Sequence, residues 1–109
     1  GHFVTGHVDQ SIQVRHLETQ GHSLLVGFSG VSDEHRRYLL PKGSVTVNGV
    51  SLTVNRVRQD QFEVMLIPET LQRTTFDALS EQQTCHVEFD MLVKAVVNAQ
   101  ILAIGDRNE

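Results

Sequence analysis

Apolar and polar residues alternate one for one on either side of Asn48-Gly49. Val45 and Val47 precede that pair and Val50, Leu52 and Val54 follow it, interleaved with Ser44, Thr46, Ser51, Thr53 and Asn55. A period of two marks a strand with one face inward. Asn-Gly is the strongest short-range hairpin signal, because a type I′ turn needs φ > 0 at both central residues. The pattern therefore predicts a hairpin with Val50, Leu52 and Val54 on one face of the second strand and Ser51, Thr53 and Asn55 on the other. No residue from Gly43 to Asn55 carries a charge. Solvated strand faces usually carry Lys, Glu or Arg, in part to discourage edge-to-edge association. Two readings of the hydroxyl face stay open at this point. Thr and small hydroxyls pair well across strands in any sheet, and a neutral polar wall also suits a flat, uncharged ligand.

The same grammar places the other elements. Phe3 to Val8 reads as a short strand, with Gly6 marking a bulge or a close backbone approach. Ser11 to Leu17 sets Ile12, Val14 and Leu17 against Gln13, Arg15 and His16, a turn follows over Glu18 to His22, and Ser23 to Ser29 is a further strand. Ser32 or Asp33 caps a short helix that Pro41 and Gly43 end. The second hairpin strand continues to Arg58, turns at Gln59-Asp60-Gln61 and pairs with Phe62 to Ile67. Pro68 leaves the ladder because it cannot donate to it. Thr84 to Phe89 is the last strand.

After Asp90, a plausible N-cap, the run MLVKAVVNAQILA holds no Gly or Pro and is apolar at nearly every third or fourth step. Leu92, Ala95, Val96 and Ala99 form one stripe of a helix; Val93, Val97, Ile101 and Ile104 form a neighbouring one. A terminal helix needs one stripe for its own domain, so the second implies a partner chain. Gly105 is expected to stop the helix and leave a frayed tail. The whole predicts an all-β fold: a six- to seven-stranded antiparallel, Greek-key-like barrel with a short helix and a C-terminal α-helix. Residues 1–90 make the barrel, 91–105 an oligomerisation helix and 106–109 the tail.

Composition narrows the function classes. With 109 residues and 39 % hydrophobic content, the chain suits one domain with a modest core. A net charge of −4 with no basic cluster argues against a nucleic-acid partner. The one cysteine, Cys85, excludes an intrachain disulfide, fits a reducing, cytoplasmic setting and reads as a small buried hydrophobe. No apolar run reaches the ~20 residues that span a bilayer, so no membrane partner is expected. No signal-peptide pattern opens the chain. The absence of a first Met predicts a piece or a processed product of a longer chain, with Gly1-His2 native or a tag remnant.

Few residues carry chemistry on their own. His2 and His7 lie five apart, an odd offset that sets them on opposite strand faces, and no CxxC or HxxxH companion supports a metal site. A histidine in a strand is either a packed or surface residue or a proton-transfer group. Ser51 has no GxSxG context, which argues against serine hydrolysis. Asp90 lies where strand gives way to helix and reads equally as a cap. Lys42-Gly43 lacks the Gly-rich run of a phosphate loop.

Together, GHFVTGHVD at the start, YLLPKGSVTVNGVSLTV in the middle and LIPETLQRTTF further on resemble, in order and spacing, the lumazine-binding barrel of riboflavin synthase. That family chain carries two similar barrels in tandem and then a C-terminal helix. The first barrel typically opens with FTG and has Cys in the NGVCLTV position. This chain has Ser51 there and ends in a helix, so it resembles the second barrel. The resemblance implies that the barrel mouth holds the ring of 6,7-dimethyl-8-ribityllumazine. It implies contacts from Thr5, Gly6 and His7, from Ser51, Leu52 and Thr53, and from Leu66, Ile67, Pro68, Glu69, Thr70 and Leu71, with Lys42 beside the adjoining site. It further implies catalytic roles for His7 (proton transfer), Ser51 (hydrogen bonding and nucleophile activation) and Asp90 (orientation or charge stabilisation), with His2 as a fourth.

The implied reaction passes a four-carbon unit between two lumazines, giving riboflavin and 5-amino-6-ribitylamino-pyrimidinedione with no metal or cofactor. The implied partners are the N-terminal barrel of the same enzyme and further copies in a trimer. One departure is Gln10-Ser11, where the family often has a Gly-rich turn. Two competing readings are a lumazine- or flavin-carrying protein without chemistry and an unrelated oligonucleotide-binding barrel. Retention of His7, Ser51 and Asp90 together argues against the first; the acidic balance and sparse aromatics argue against the second.

Overall fold

The computed structural model describes residues 6–74 and 79–108. The described elements are, in order, β1 (Gln10–Gln20), β2 (Ser23–Ser29), α1 (Asp33–Arg36), β3 (Ser44–Val47), β4 (Val50–Arg58), β5 (Gln61–Leu66), α2 (Pro68–Arg73), β6 (Thr84–Phe89) and α3 (Met91–Asn108). The strands close into one antiparallel Greek-key barrel in the order β1-β2-β5-β4-β3-β6. Closure removes the free sheet edges that would otherwise invite association.

Alternation decides what fills the barrel. Phe62, Val64 and Leu66 of β5 point inward while Gln61, Glu63 and Met65 do not. The same holds for Val45 and Val47 of β3, Leu52 and Val54 of β4, and Cys85, Val87 and Phe89 of β6. Phe28 and Phe62 are register partners whose rings meet at 5.1 Å between centroids. Val31 and Leu39, from the connection around α1, join this core. At that end the rings of His35, Tyr38 and Phe89 cluster within about 6 Å of one another. Ser32 is the N-cap of α1, its hydroxyl accepting from the His35 N–H. Register shifts between Val14 and His16 and between Val54 and Arg56 mark bulges, which tighten the local coil.

Several expectations need correction. No strand spans the described part of Phe3 to Val8: Gly6 takes a left-handed φ of 80°, and regular pairing begins at Gln10. β1 runs unbroken to Gln20, so the turn before β2 contracts to Gly21-His22. The chain after Pro68 forms the short helix α2, with Pro68 at a first-turn position where its missing N–H costs nothing. Gly105 does not stop α3, which continues to Asn108. A helical Gly costs about 1 kcal/mol relative to Ala, too little to break a helix that is otherwise sound.

α3 projects from the barrel. Its 18 residues amount to about 27 Å of helix, and the molecule is 52 Å long against 25 and 22 Å across. It is tethered where Lys94 Nζ pairs with Asp9 Oδ1 and where the Tyr38 hydroxyl donates to Asn98 Oδ1 at 3.0 Å. Val93 and Val97 are half-buried, whereas Leu92 and Leu102 are 74 % and 69 % exposed, with Val96, Ile101 and Ile104 exposed beside them. No helix among the described residues is long and apolar enough to cross a membrane.

Entry into the hairpin depends on one close approach. A Cβ on Gly43 would lie 2.9 Å from the Leu40 carbonyl oxygen, the atom that accepts the Gly43 N–H. Gly43→Ala should therefore lower stability by about 1–3 kcal/mol, the usual range for forced overpacking. Denaturant unfolding measures this directly; a midpoint unchanged from the parent chain would contradict it.

Candidate functional site

The hairpin and β6 together build one outward face. Register pairs Ser44 with Thr53, Thr46 with Ser51, and Thr46 with Glu88. Paired residues in antiparallel strands point to the same side, so Glu88, Thr46 and Ser51 form a row across β6, β3 and β4. Continuing the Val45–Phe89 register by one residue sets Asp90 beside Ser44, giving a second row of Asp90, Ser44 and Thr53. Four hydroxyls thus lie in a block with two carboxylates along its β6 border. The turn that sets this register is left-handed at both positions, with φ of 47° at Asn48 and 82° at Gly49, as a type I′ turn requires. Its tip is tied to β6: the Asn48 N–H donates to the His86 carbonyl at 2.9 Å, and the His86 N–H donates to Asn48 Oδ1 at 2.8 Å.

Two chain segments frame the block. On the β6 side, the segment from Gly6 to Asp9 crosses the outer face. The His7 N–H donates to Glu88 Oε1 at 3.1 Å, the Asp9 N–H to the Val87 carbonyl at 2.9 Å, and the Phe89 N–H to Asp9 Oδ2 at 2.8 Å. Thr46 and Glu88 are only 2 % and 6 % exposed although both point away from the core. On the other side, the β4–β5 ladder ends at Val54–Val64, and β5 runs on to Leu66, followed by Ile67. Leu66 turns into the core, while Ile67 turns out, 51 % exposed, immediately before α2. A cavity of about 240 Å³ lies under the Gly6 segment, bounded by Gly6, Val8, Thr46, Gly49, His86 and Glu88 among others.

The sequence-predicted residues fare differently. Ser51 and Thr53 lie in this block, with His7 and Gly6 on the segment beside it; Ile67, Pro68, Glu69 and Thr70 follow β5 at the start of α2. Leu52 and Leu66 are core residues, so they offer a ligand only backbone groups, and Leu71 packs partly against the core. Lys42 is exposed at the far end of β3 from the Asn48 tip, with a left-handed φ of 68° and its N–H donating to the Val54 carbonyl at 2.7 Å. Asp90 caps α3, its Oδ1 accepting from the Leu92 N–H at 2.9 Å. Its place beside Ser44 leaves it at the border of the block as well. His2 and Thr5 lie outside the described residues. Glu88, Asn48 and Asp9 were not expected in the site. In the sequence, Glu88 is simply the outward residue of an alternating strand, and only the chain folded over it sets it apart.

A larger groove of about 750 Å³ lies elsewhere, on the outer face of β1, β2, β4 and β5. Arg15, Arg56 and Arg58 share it with Glu18 and Glu63, and Arg56 approaches Glu63 at 3.9 Å. It holds none of the expected ligand contacts, and charges of both signs suit a solvated strand face. The smaller cavity is the better candidate because Gly6 of the expected contacts and Thr46 of the hydroxyl block line it, beneath the crossing segment.

The fold and this face define a small closed barrel that presents a hydroxyl-rich, hydrogen-bonding outer wall bordered by carboxylates. The chain belongs to the lumazine-binding domain family, whose model matches residues 5–90. It is 36 % identical to riboflavin synthase of Photobacterium phosphoreum over 88 % of this chain and 44 % of that protein. It is 34 % identical to riboflavin synthase of Escherichia coli (strain K12), over 90 % of this chain and 46 % of that one. It is also 38 % identical to riboflavin synthase of Chlamydia pneumoniae, over 99 % and 52 % respectively. The chain thus spans about half the length of the curated relatives it matches. Among solved structures, LumP complexed with 6,7-dimethyl-8-(1′-D-ribityl) lumazine superposes with a TM-score of 0.73 at 20 % identity, over 81 % of this chain and 48 % of that one. That likeness establishes the shared barrel.

Cys85 lies directly behind this face, fully buried. Burial pushes its thiol above the ordinary range, and a hydrogen bond with the Asn48 side chain offsets part of the rise. The folded chain therefore holds its proton longer than the unfolded chain does. Stability from this group is complete below the free-thiol range of about 8.5 and declines as pH rises above it. A disulfide-exchange reagent at pH 8 should label the folded chain slowly and the denatured chain stoichiometrically; equal rates would contradict a buried, protonated thiol.

Proposed function

We propose that this chain is the C-terminal barrel of a riboflavin synthase and binds one 6,7-dimethyl-8-ribityllumazine on its β6-β3-β4 face. The observation that carries the reading is the two-row block of Ser44, Thr46, Ser51 and Thr53, framed by the Gly6–Asp9 segment and by Ile67 to Thr70. Hydroxyls and backbone groups can read the donors and acceptors of a flat, neutral bicycle without charge. In the whole enzyme two lumazines react: one gives up a four-carbon unit, the other becomes riboflavin, and the donor leaves as 5-amino-6-ribitylamino-pyrimidinedione. No cofactor or metal takes part. His7 moves the proton of the acidic ring methyl group, Ser51 holds the ring and activates the attacking nucleophile, and Asp90 orients the reacting groups or stabilises charge, with His2 as a fourth catalytic residue; Thr5 completes the ring contacts and Lys42 reaches toward the neighbouring site.

One face is half of such a site. The cavity of about 240 Å³ falls short of the roughly 300–1,000 Å³ of pockets that enclose a drug-sized ligand. A first barrel, preceding this one in the complete enzyme and contributed by a neighbouring chain, closes it. The exposed apolar surface of α3 draws chains together, as a trimer, in the cytoplasm. Holding two rings face to face contributes much of the rate, because well-oriented pairs gain about 7–11 kcal/mol.

Three outcomes follow. Riboflavin should form from lumazine only when the first barrel is supplied in trans; full specific activity from this chain alone would overturn the half-site reading. In the two-barrel enzyme Ser51→Ala should lower turnover on the order of 10²-fold, as loss of a positioned donor does, while the melting temperature shifts little; a collapsed melting temperature with normal turnover per folded molecule would make Ser51 structural. Ending the chain at Asp90 should abolish the self-association that α3 causes, and an unchanged sedimentation coefficient would refute that role for the helix.

A further inference from the structure

Glu88 stands apart from every other outward residue of β6. Thr84 and His86 alternate with the core residues Cys85, Val87 and Phe89 and are exposed; Glu88, on the same side, is 6 % exposed. A carboxylate is seldom taken out of water unless hydrogen bonds compensate. Here one of those bonds comes from the backbone of the segment that covers it, the His7 N–H at 3.1 Å. Two residues on, Asp9 holds the same segment at a second point through the Phe89 N–H. The left-handed Gly6 lies before the first tie. His7 is therefore carried on a strap whose end nearest the site is fixed by Glu88 and whose far end is fixed by Asp9.

The row makes this tie consequential for the site. Glu88, Thr46 and Ser51 are register partners in sequence across three adjacent strands. Strands in a sheet are spaced about 4.8 Å apart, so the row sets β6 and β4 about 10 Å apart. One end of it carries Ser51 and the other carries the strap with His7. Thr46, 2 % exposed, fills the space between. We infer that Glu88 is a positioning residue: its side chain holds the His7 backbone at a fixed distance from Ser51, so that a ring bound on the hydroxyl block meets both groups. The inference rests on the ligand-binding reading above for its purpose, but the tie itself is testable without any ligand.

What the strap needs from Glu88 is an acceptor at the reach of a glutamyl side chain. Glu88→Gln keeps that acceptor; Glu88→Asp withdraws it by one methylene; Glu88→Ala removes it. The experiment uses this chain labelled with ¹⁵N. Amide exchange of His7 is measured beside that of Val64 in the core, and 6,7-dimethyl-8-ribityllumazine is titrated by its fluorescence. His7 exchange should rise at least tenfold in Glu88→Ala and in Glu88→Asp and stay within about threefold of the parent in Glu88→Gln, with Val64 unchanged in all three. Lumazine affinity should weaken about tenfold in the first two and be retained in the third. Unchanged His7 exchange in Glu88→Ala or Glu88→Asp overturns the inference, as does equal loss in Glu88→Gln. Should Glu88→Ala fail to fold, the Asp and Gln pair decides by the same criterion. Failure of the parent chain to bind lumazine would count against the ligand-binding reading alone, because the exchange comparison still tests the tie.

Discussion

The register of β6, β3 and β4 is the constraint from which the rest follows. Val87 and Phe89, Val45 and Val47, and Leu52 and Val54 must all enter the same core. A slip of one residue in any of these strands would reverse every side chain on it, so hydrophobic burial that is worth about 1.5–3 kcal/mol per large apolar side chain locks the pairing. The same lock sets Ser44, Thr46, Ser51, Thr53, Glu88 and Asp90 outward as a block. The candidate site is thus a by-product of core packing in position, and specific only in chemistry. Asn48-Gly49 fixes the phase of the two strands at one end, and the paired bonds between Asn48 and His86 fasten that end to β6.

A wall built this way faces outward, and that shapes the rest of the molecule. A ligand on the outside of a filled barrel has no interior cavity to enter, so whatever encloses it comes from segments laid over the wall or from another barrel. The strap before β1 is one such segment. The strap also ends at Asp9, whose carboxylate accepts from Phe89 and pairs with Lys94 of α3. One residue therefore joins the site's cover to the base of the helix whose apolar residues Leu92, Val96, Ile101 and Leu102 are exposed. Cover, barrel and helix are mechanically one piece at this point.

Much of this was legible in the sequence because it depends on local signals. The limits of β2 and β6, the Ser32 cap and the I′ turn all follow from alternation, capping or turn chemistry within a few residues. The hydroxyl face was legible for the same reason. What was not legible depended on contacts far apart in the chain. The strand expected before Val8 gave way to a crossing strap in its described part, because Gly6 and the ties to Glu88 and Asp9 redirect the backbone. Glu88 could not be told from a solvated carboxylate, since the backbone N–H that binds it comes from a residue 81 positions away. The end of α3 was missed because Gly105 is a weak stop without a left-handed residue behind it. The roles of Leu52 and Leu66 were read from a motif, and the core claims their side chains.

The most direct test of the central claim is a map of where the ring binds. In a ¹⁵N-labelled sample titrated with 6,7-dimethyl-8-ribityllumazine, the account predicts that saturable amide shifts gather at Gly6 to Val8, Ser51 to Thr53 and Ile67 to Thr70, with Arg15, Arg56 and Arg58 undisturbed. Shifts centred on those three arginines, in the larger groove across β1, β2, β4 and β5, would contradict it and move the site off the hydroxyl wall.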